Sequence, residues 1–221
     1  MDLAMRNSFS KTLCRLSATA LISMGTAHAA VLYQQAPLDD GFSFFAFYSP
    51  SGFFGTQNAD DFAISQSTIT GFRWYGSEVT DTTRFVVRLF EDIENAPDTF
   101  TALNGTTVMG ATPVTTDFDG FDVFEFEMTL GTSFTSAGGA LGVYFDTDPD
   151  NEEWYWLEGV GGTPGSYTRG LDGTAWQLAD ESLAFAVLGE RIAAVPEPGS
   201  LALLGIAGLA GTLARRRSLL R

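Results

Sequence analysis

The amino-acid sequence predicts an all-β fold for residues 30–194, and three features of this segment support the prediction. Apolar and polar residues alternate over residues 124–130, as they do on a strand with one buried face. Short runs of aromatic and β-branched residues recur along the segment, and glycine-containing turn sequences separate them. Helical periodicity is nearly absent. Many short strands with frequent turns indicate one antiparallel β-sandwich or jelly-roll-like domain.

The individual elements follow from these runs. The predicted strands cover residues 61–65, 68–75, 84–90, 122–130, 140–146, 153–158 and 183–188. Predicted turns lie at Asn104-Gly105, Asp119-Gly120, Gly138-Gly139 and Asp172-Gly173. Asn-Gly is the strongest hairpin signal among them because both of its residues tolerate a positive φ.

The first 29 residues have the features of a secretory signal peptide, which predicts an N-terminal signal helix. Three basic residues, Arg6, Lys11 and Arg15, accompany an apolar stretch over residues 16–24. Ala27-His28-Ala29 then supplies the small-x-small pattern that signal peptidase requires, because its pocket accepts only small side chains. A buried amphipathic helix is the alternative interpretation. We expect export across the inner membrane and removal of residues 1–29.

Removal of this segment would narrow the chemistry of the remaining chain. The only cysteine, histidine and lysine of the sequence are Cys14, His28 and Lys11. Without them the chain has no thiol, imidazole or primary-amine side chain. Cysteine and histidine nucleophiles, a Ser-His-Asp triad, a lysine Schiff base and a Cys/His zinc site are then excluded.

The remaining segment is strongly acidic. Residues 30–194 contain five arginines and 25 acidic residues, which gives a net charge of −20. Such a surface repels nucleic-acid phosphates and anionic lipids, and it attracts divalent cations or basic partners. The alternative is that the acidity only keeps an exported domain soluble.

The C-terminal segment, residues 195–221, has three parts. The first is Val195-Pro196-Glu197-Pro198-Gly199-Ser200, whose prolines favour the extended backbone that proteases bind. Residues 201–214 are apolar and predict a transmembrane helix of roughly 21 Å. This length is less than the roughly 30 Å hydrocarbon core of a bilayer. Arg215, Arg216 and Arg217 follow, and the positive-inside rule places them in the cytoplasm.

These three parts together resemble the PEP-CTERM sorting domain, with Pro196, Glu197 and Pro198 at the motif positions. The resemblance implies that an exosortase-type membrane protease recognises the motif and processes the tail. It also implies a Gram-negative, biofilm-forming bacterium and a link to exopolysaccharide. An ordinary single-span anchor is the alternative. We expect a protein of the envelope or extracellular space, tethered to the membrane transiently or permanently.

The central segment resembles a domain that is common among PEP-CTERM proteins. Four pieces carry this resemblance: Gln57-Asn58-Ala59-Asp60-Asp61-Phe62, residues 69–76, Trp154-Tyr155-Trp156 and Leu183-Ala184-Phe185. The resemblance implies a β-sandwich without an established activity, and it supplies no catalytic residues.

The tryptophans are candidate carbohydrate-binding residues, because an aromatic face stacks on the apolar surface of a sugar ring. The candidates are Trp74, Trp154, Trp156 and Trp176. Trp154 and Trp156 lie two apart and therefore point to the same face of a strand. Tyr155 and Leu157 make the opposite face apolar as well, and a strand with two apolar faces is typical of a core.

An acidic loop is a candidate calcium site, because calcium prefers six to eight oxygen ligands. Its carboxylates are Asp146, Asp148 and Asp150. The spacing opens like an EF-hand loop, but Leu157 stands where the bidentate glutamate belongs. An irregular calcium loop is the remaining possibility, beside an ordinary solvated turn.

Paired carboxylates are the last candidate site. Glu125 and Glu127 share one face of the predicted strand, about 7 Å apart, which is compatible with glycoside hydrolysis by two carboxyl groups. Any amphipathic strand with a polar face gives the same spacing. We therefore expect a non-catalytic protein.

Overall fold

The computed structural model describes residues 29–49, 54–148, 152–161 and 165–192. The predicted signal helix and transmembrane helix lie outside these residues. Within the described ranges, no helix combines the length and hydropathy that crossing a membrane requires.

Strands account for nearly all regular structure in the described part of the chain, which confirms the all-β prediction. In chain order they are β1 (Ala30–Pro37), β2 (Ser43–Phe45), β3 (Phe47–Ser49), β4 (Phe54–Ser77), β5 (Phe85–Phe90), β6 (Phe100–Leu103), β7 (Gly105–Met109), β8 (Thr115–Thr116), β9 (Asp122–Asp146), β10 (Tyr155–Leu157), β11 (Gly159–Val160), β12 (Tyr167–Arg169), β13 (Gln177–Leu178) and β14 (Phe185–Arg191). One turn of 3₁₀ helix, Thr82–Arg84, precedes β5.

Two strands are far longer than the others and organise the fold. β4 has 24 residues and β9 has 25, and they pair antiparallel from Asn58↔Val143 to Ser77↔Val123. The pairing shifts register between Ala63 and Ser67 and again between Ile69 and Gly71. Such irregularities bend a strand and increase its twist. The two long strands therefore change direction near their middle while staying paired.

The other strands divide between the two halves of this long pair. β5 and β12 flank the half in which residues 58–63 of β4 pair with β9, and β14 and β7 flank the other half. The described strands thus form one continuous sheet in the order β11-β1-β14-β4-β3-β9-β5-β6, rather than two separate sheets. Among the described pairs only β3–β9 is parallel.

An aromatic core lies between the two halves of the sheet. The Phe85 ring on β5 lies 5.2 Å from Trp74 on β4 and 4.9 Å from Phe126 on β9. Trp154 meets both Phe85 and Phe126 edge to face. Because such pairs are stabilising beyond the area they bury, these rings fix how the bent halves pack.

Two of the sequence-predicted turns differ in the structure. Gly138 and Gly139 lie inside β9, with φ of 152° and 148°. A Cβ on Gly139 would lie 2.7 Å from the Phe90 carbonyl oxygen, so glycine is needed for close approach of the strands and not for a turn. Asn104 joins β6 to β7, which pair with β5 and β9 rather than with each other. The turns at Gly120 and Gly173 are confirmed, both with positive φ.

A buried carboxyl group ties β4 to the segment before β14. Asp60 is 0% exposed. Its Oδ1 accepts a hydrogen bond from the Asp61 amide at 2.7 Å, and its Oδ2 accepts one from the Leu183 amide at 2.6 Å. The Gln35 side-chain amide, oriented so that its oxygen accepts from the Tyr33 hydroxyl, donates to the same Oδ2 at 3.2 Å. Burial outweighs these donors and raises the pKa of Asp60 to about 7 from 3.8.

We predict that replacing Gly139 with alanine destabilises the fold by roughly 3 kcal/mol, because the new methyl group meets the Phe90 carbonyl at a strained φ. Urea unfolding followed by tryptophan fluorescence measures the change. Gly131→Ala is the matched control, since its Cβ would have no neighbour nearer than the Asn104 oxygen at 3.6 Å. Equal midpoints for the two variants would contradict the close-approach explanation.

We also predict that the folded state loses stability as pH rises from 4 to 8. The pKa of Asp60 is higher in the folded state than in the unfolded chain, so the folded state binds the proton more tightly, and this advantage is lost as the pH passes the folded pKa of about 7. The contribution is on the order of 2–4 kcal/mol. The free energy of unfolding of the wild type and Asp60→Asn, measured across this range, checks the prediction.

In Asp60→Asn the fall between pH 4 and pH 8 becomes smaller. Glu190→Gln, at an exposed position on β14, controls for the removal of one negative charge. A variant at Asp60 with the same pH dependence as the wild type would show that this carboxyl group is not the titrating group.

Candidate functional site

The structure places three of the four candidate tryptophans in the core. Trp74, Trp154 and Trp156 are each 0% exposed. The Trp156 indole donates a hydrogen bond to the Ala184 carbonyl at 2.8 Å. No face of these rings is accessible to a sugar, so the carbohydrate-binding interpretation is wrong for these three residues. The alternative interpretation made for Trp154 and Trp156, that they belong to a core segment, describes these two residues.

Trp176 is half-buried and has a packing role. Its indole nitrogen donates to the Pro97 carbonyl at 3.1 Å, and its ring meets Phe90 edge to face at 5.4 Å. The Arg169 guanidinium lies 4.4 Å from the ring centroid. The Trp176 side chain therefore contacts the Arg169 guanidinium, the Pro97 carbonyl and the Phe90 ring.

The acidic loop is described only in part, because Asp150 lies outside the described residues. Asp146 Oδ1 accepts a hydrogen bond from the Asp148 amide at 3.0 Å, and Asp148 accepts one from the Ser49 hydroxyl. Across the described ranges, no three acidic side chains are grouped as metal binding requires. Calcium at this loop stays a prediction.

An arginine holds the paired carboxylates on β9. Arg73 Nε lies 3.2 Å from Glu125 and its Nη2 lies 2.6 Å from Glu127, across the β4–β9 pair. The Tyr75 hydroxyl donates to Glu125 at 3.2 Å, and burial together with the charge of Glu125 raises the pKa of Tyr75 to about 12. The guanidinium occupies the space between the two carboxylates that a glycosidic oxygen would need. This arrangement is that of an ion-paired sheet surface.

A second set of ion pairs connects the loops beside β5 and β12. The fully buried Arg169 side chain bonds Asp98 at 2.8 Å and Asp172 at 2.7 Å, and its Nε donates to Gln57 at 2.9 Å. Arg88 bonds the same Asp172 at 2.6 Å. Burial acts to raise the pKa of Asp172, but the hydrogen bond and charge of Arg88 prevail and hold it below the usual range.

A further concave surface lies elsewhere, where β10 and β9 pair with the same end of β4. Gly76 of β4 faces Trp156 on one side and Phe124 on the other. A cleft of about 740 Å³ opens over this end of the sheet. This volume is in the range of small-ligand pockets.

Aromatic rings form the apolar part of this cleft. Phe45 and Tyr155 lie side by side with ring centroids 4.6 Å apart, and Phe121 and Phe124 also line the space. Phe45 is 47% exposed and Phe121 is 67% exposed. Large apolar side chains with this exposure are available for contact with another molecule.

Carboxylates form the polar part of the cleft. They belong to Glu78, Asp117, Asp119, Asp122 and Glu153. Asp117 is buried and orders the turn, because its Oδ1 accepts from the amides of Asp119 and Phe121. The Tyr155 hydroxyl donates to Glu153 at 3.0 Å, and burial together with this bond raises the pKa of the phenol. No basic residue lines the described cleft.

No direct signal for this cleft is present in the amino-acid sequence. Its carboxylates come from three separate stretches of chain, and its rings are not tryptophans. One local signal was present, because the Asp119-Gly120 turn is flanked by Phe118 and Phe121, and a turn places its neighbours at the surface.

The predicted sorting residues lie outside the described residues, so the comparison with known proteins bears on them directly. Residues 194–218 match the model of the PEP-CTERM protein-sorting motif. This range includes Pro196, Glu197, Pro198 and the three arginines Arg215, Arg216 and Arg217. No curated protein and no solved structure matches the chain. The C-terminal tail of this chain therefore carries a PEP-CTERM protein-sorting motif.

Proposed function

We propose that this chain is an exported, non-catalytic protein whose β-sandwich-like domain is delivered by its tail to the cell envelope or the extracellular matrix. The observation that carries the proposal is the PEP-CTERM motif over residues 194–218. Such a motif implies processing by an exosortase-type membrane protease. The features of residues 1–29 support export and signal peptidase as the first processing step.

The sequence of the tail suggests how sorting proceeds. Pro196 and Pro198 keep Glu197 in an extended segment that a protease can bind as a strand. The apolar residues 201–214 hold this segment at the membrane surface while the arginines keep the end of the chain in the cytoplasm. The membrane tether is then transient if the motif is cut and permanent if it is not.

The composition of the central domain supports a non-catalytic role. Without residues 1–29 the chain has no histidine, cysteine or lysine. The carboxylate pair that suited glycoside hydrolysis best, Glu125 and Glu127, is bridged by Arg73. A role in an exopolysaccharide matrix is part of the proposal, through the family resemblance of the tail and not through the buried tryptophans.

We predict that replacing Pro196, Glu197 and Pro198 together with alanine leaves the protein in the membrane fraction with its apolar tail attached. The reason is that the protease loses its recognition sequence while residues 201–214 still favour the bilayer. Fractionation of the native bacterium with an antibody against the β domain measures the distribution. The wild type is expected at the surface or in the medium.

Glu190→Gln, an exposed change outside the motif, is the control and should distribute like the wild type. A strain without its exosortase gene should retain the wild-type chain as the alanine variant is retained. Surface delivery of the alanine variant in full amount would contradict the proposal.

A further inference from the structure

Three arginine side chains of the described domain have the same kind of surroundings. Arg84 lies over the Phe145 ring at 4.3 Å and bonds Glu152 at 2.9 Å. Arg88 and Arg169 repeat this arrangement. Arg88 lies over Phe100 at 4.0 Å and bonds Asp172, and Arg169 lies over Trp176 and bonds Asp98. Each guanidinium thus lies between an aromatic face and a carboxylate, where both groups attract it.

The cleft at the end of β4 offers the same two kinds of group at its surface. Phe45, Tyr155 and Phe121 supply rings, and Glu78, Asp122 and Glu153 supply exposed carboxylates. Four of the five arginines of residues 30–194 are ion-paired elsewhere, and Arg191 lies exposed at the end of β14. The described domain therefore brings no cation of its own to the cleft.

We propose that this cleft binds an arginine-containing basic segment of a partner protein. Charge complementarity selects the partner, since a cleft lined by five carboxylates lies on a segment with a net charge of −20. The aromatic walls favour a side chain with an apolar, planar cation, which is the guanidinium of arginine rather than the more strongly hydrated ammonium of lysine.

The arrangement of the carboxylates distinguishes this ligand from a metal ion. In the described part of the chain, no three acidic side chains are grouped to coordinate a metal. They are instead distributed around a space of about 740 Å³, which accommodates an extended cationic side chain and the neighbouring peptide. The inference does not depend on how the tail is processed.

The test is calorimetric titration of the full chain, purified in a nonionic detergent, with acetyl-Arg-Arg-Arg-amide at 0.15 M salt. The cleft variant Glu78→Gln/Asp122→Asn/Glu153→Gln is expected to bind at least tenfold more weakly. Its matched control is Glu91→Gln/Asp180→Asn/Glu190→Gln, which removes the same charge at exposed positions that do not line the cleft. The control should retain the wild-type affinity within about twofold, because screened distant charges contribute little.

Two further titrations test separately the contribution of the peptide's guanidinium groups and that of the Phe121 ring. The citrulline peptide, a neutral isostere, should not bind. Phe121→Ala should weaken binding several-fold, whereas Phe54→Ala, at an exposed ring outside the cleft, should not.

Equal loss in both triple variants would overturn the proposal, because it would mean attraction to net charge alone. Equal binding of the citrulline peptide, displacement of the arginine peptide by millimolar calcium, or binding of a neutral oligosaccharide in its place would overturn it as well.

Discussion

The antiparallel pairing of β4 with β9 is the constraint on which the rest of the structure depends. These strands run through both halves of the bent sheet, and β3, β5, β7, β8, β10, β12 and β14 all pair with one or the other. Gly138 keeps the space between β9 and β4 free of a side chain, and Gly139 does the same between β9 and β5. The core rings and the cleft at the end of β4 are both positioned by this pair.

The domain has few positively charged side chains, and the ion pairs that they form determine which carboxylates remain at the surface. Arg73 joins β4 to two carboxylates on β9, and Arg169 with Arg88 joins separate loops through Asp172. All three guanidinium groups are in ion pairs, and leaving the buried Arg169 unpaired would be strongly destabilising. Most of the remaining carboxylates are exposed to solvent or line the cleft, and an acidic surface of this kind attracts positive charge.

Local pattern was sufficient for the fold class but not for the topology. Alternation in residues 124–130 and the aromatic runs located strands correctly, and the tail motif was recognisable from a few residues. The sequence did not reveal that 61–65 and 68–75 form one strand, because a bend that keeps its pairing has no local signature. The turn predicted at Gly138-Gly139 is wrong, because glycine occurs both in tight turns and where strands approach closely, and the sequence does not distinguish the two. The cleft unites residues as distant as Phe45 and Tyr155, which only tertiary pairing brings together.

We propose that the chain is an exported precursor that is cut at both ends, and the first measurement to make is the intact mass of the protein from its native bacterium. The expected mass lacks residues 1–29 and everything beyond the Pro196-Glu197-Pro198 region. A mass that still includes residues 201–221 would contradict it and would make the tail an ordinary membrane anchor.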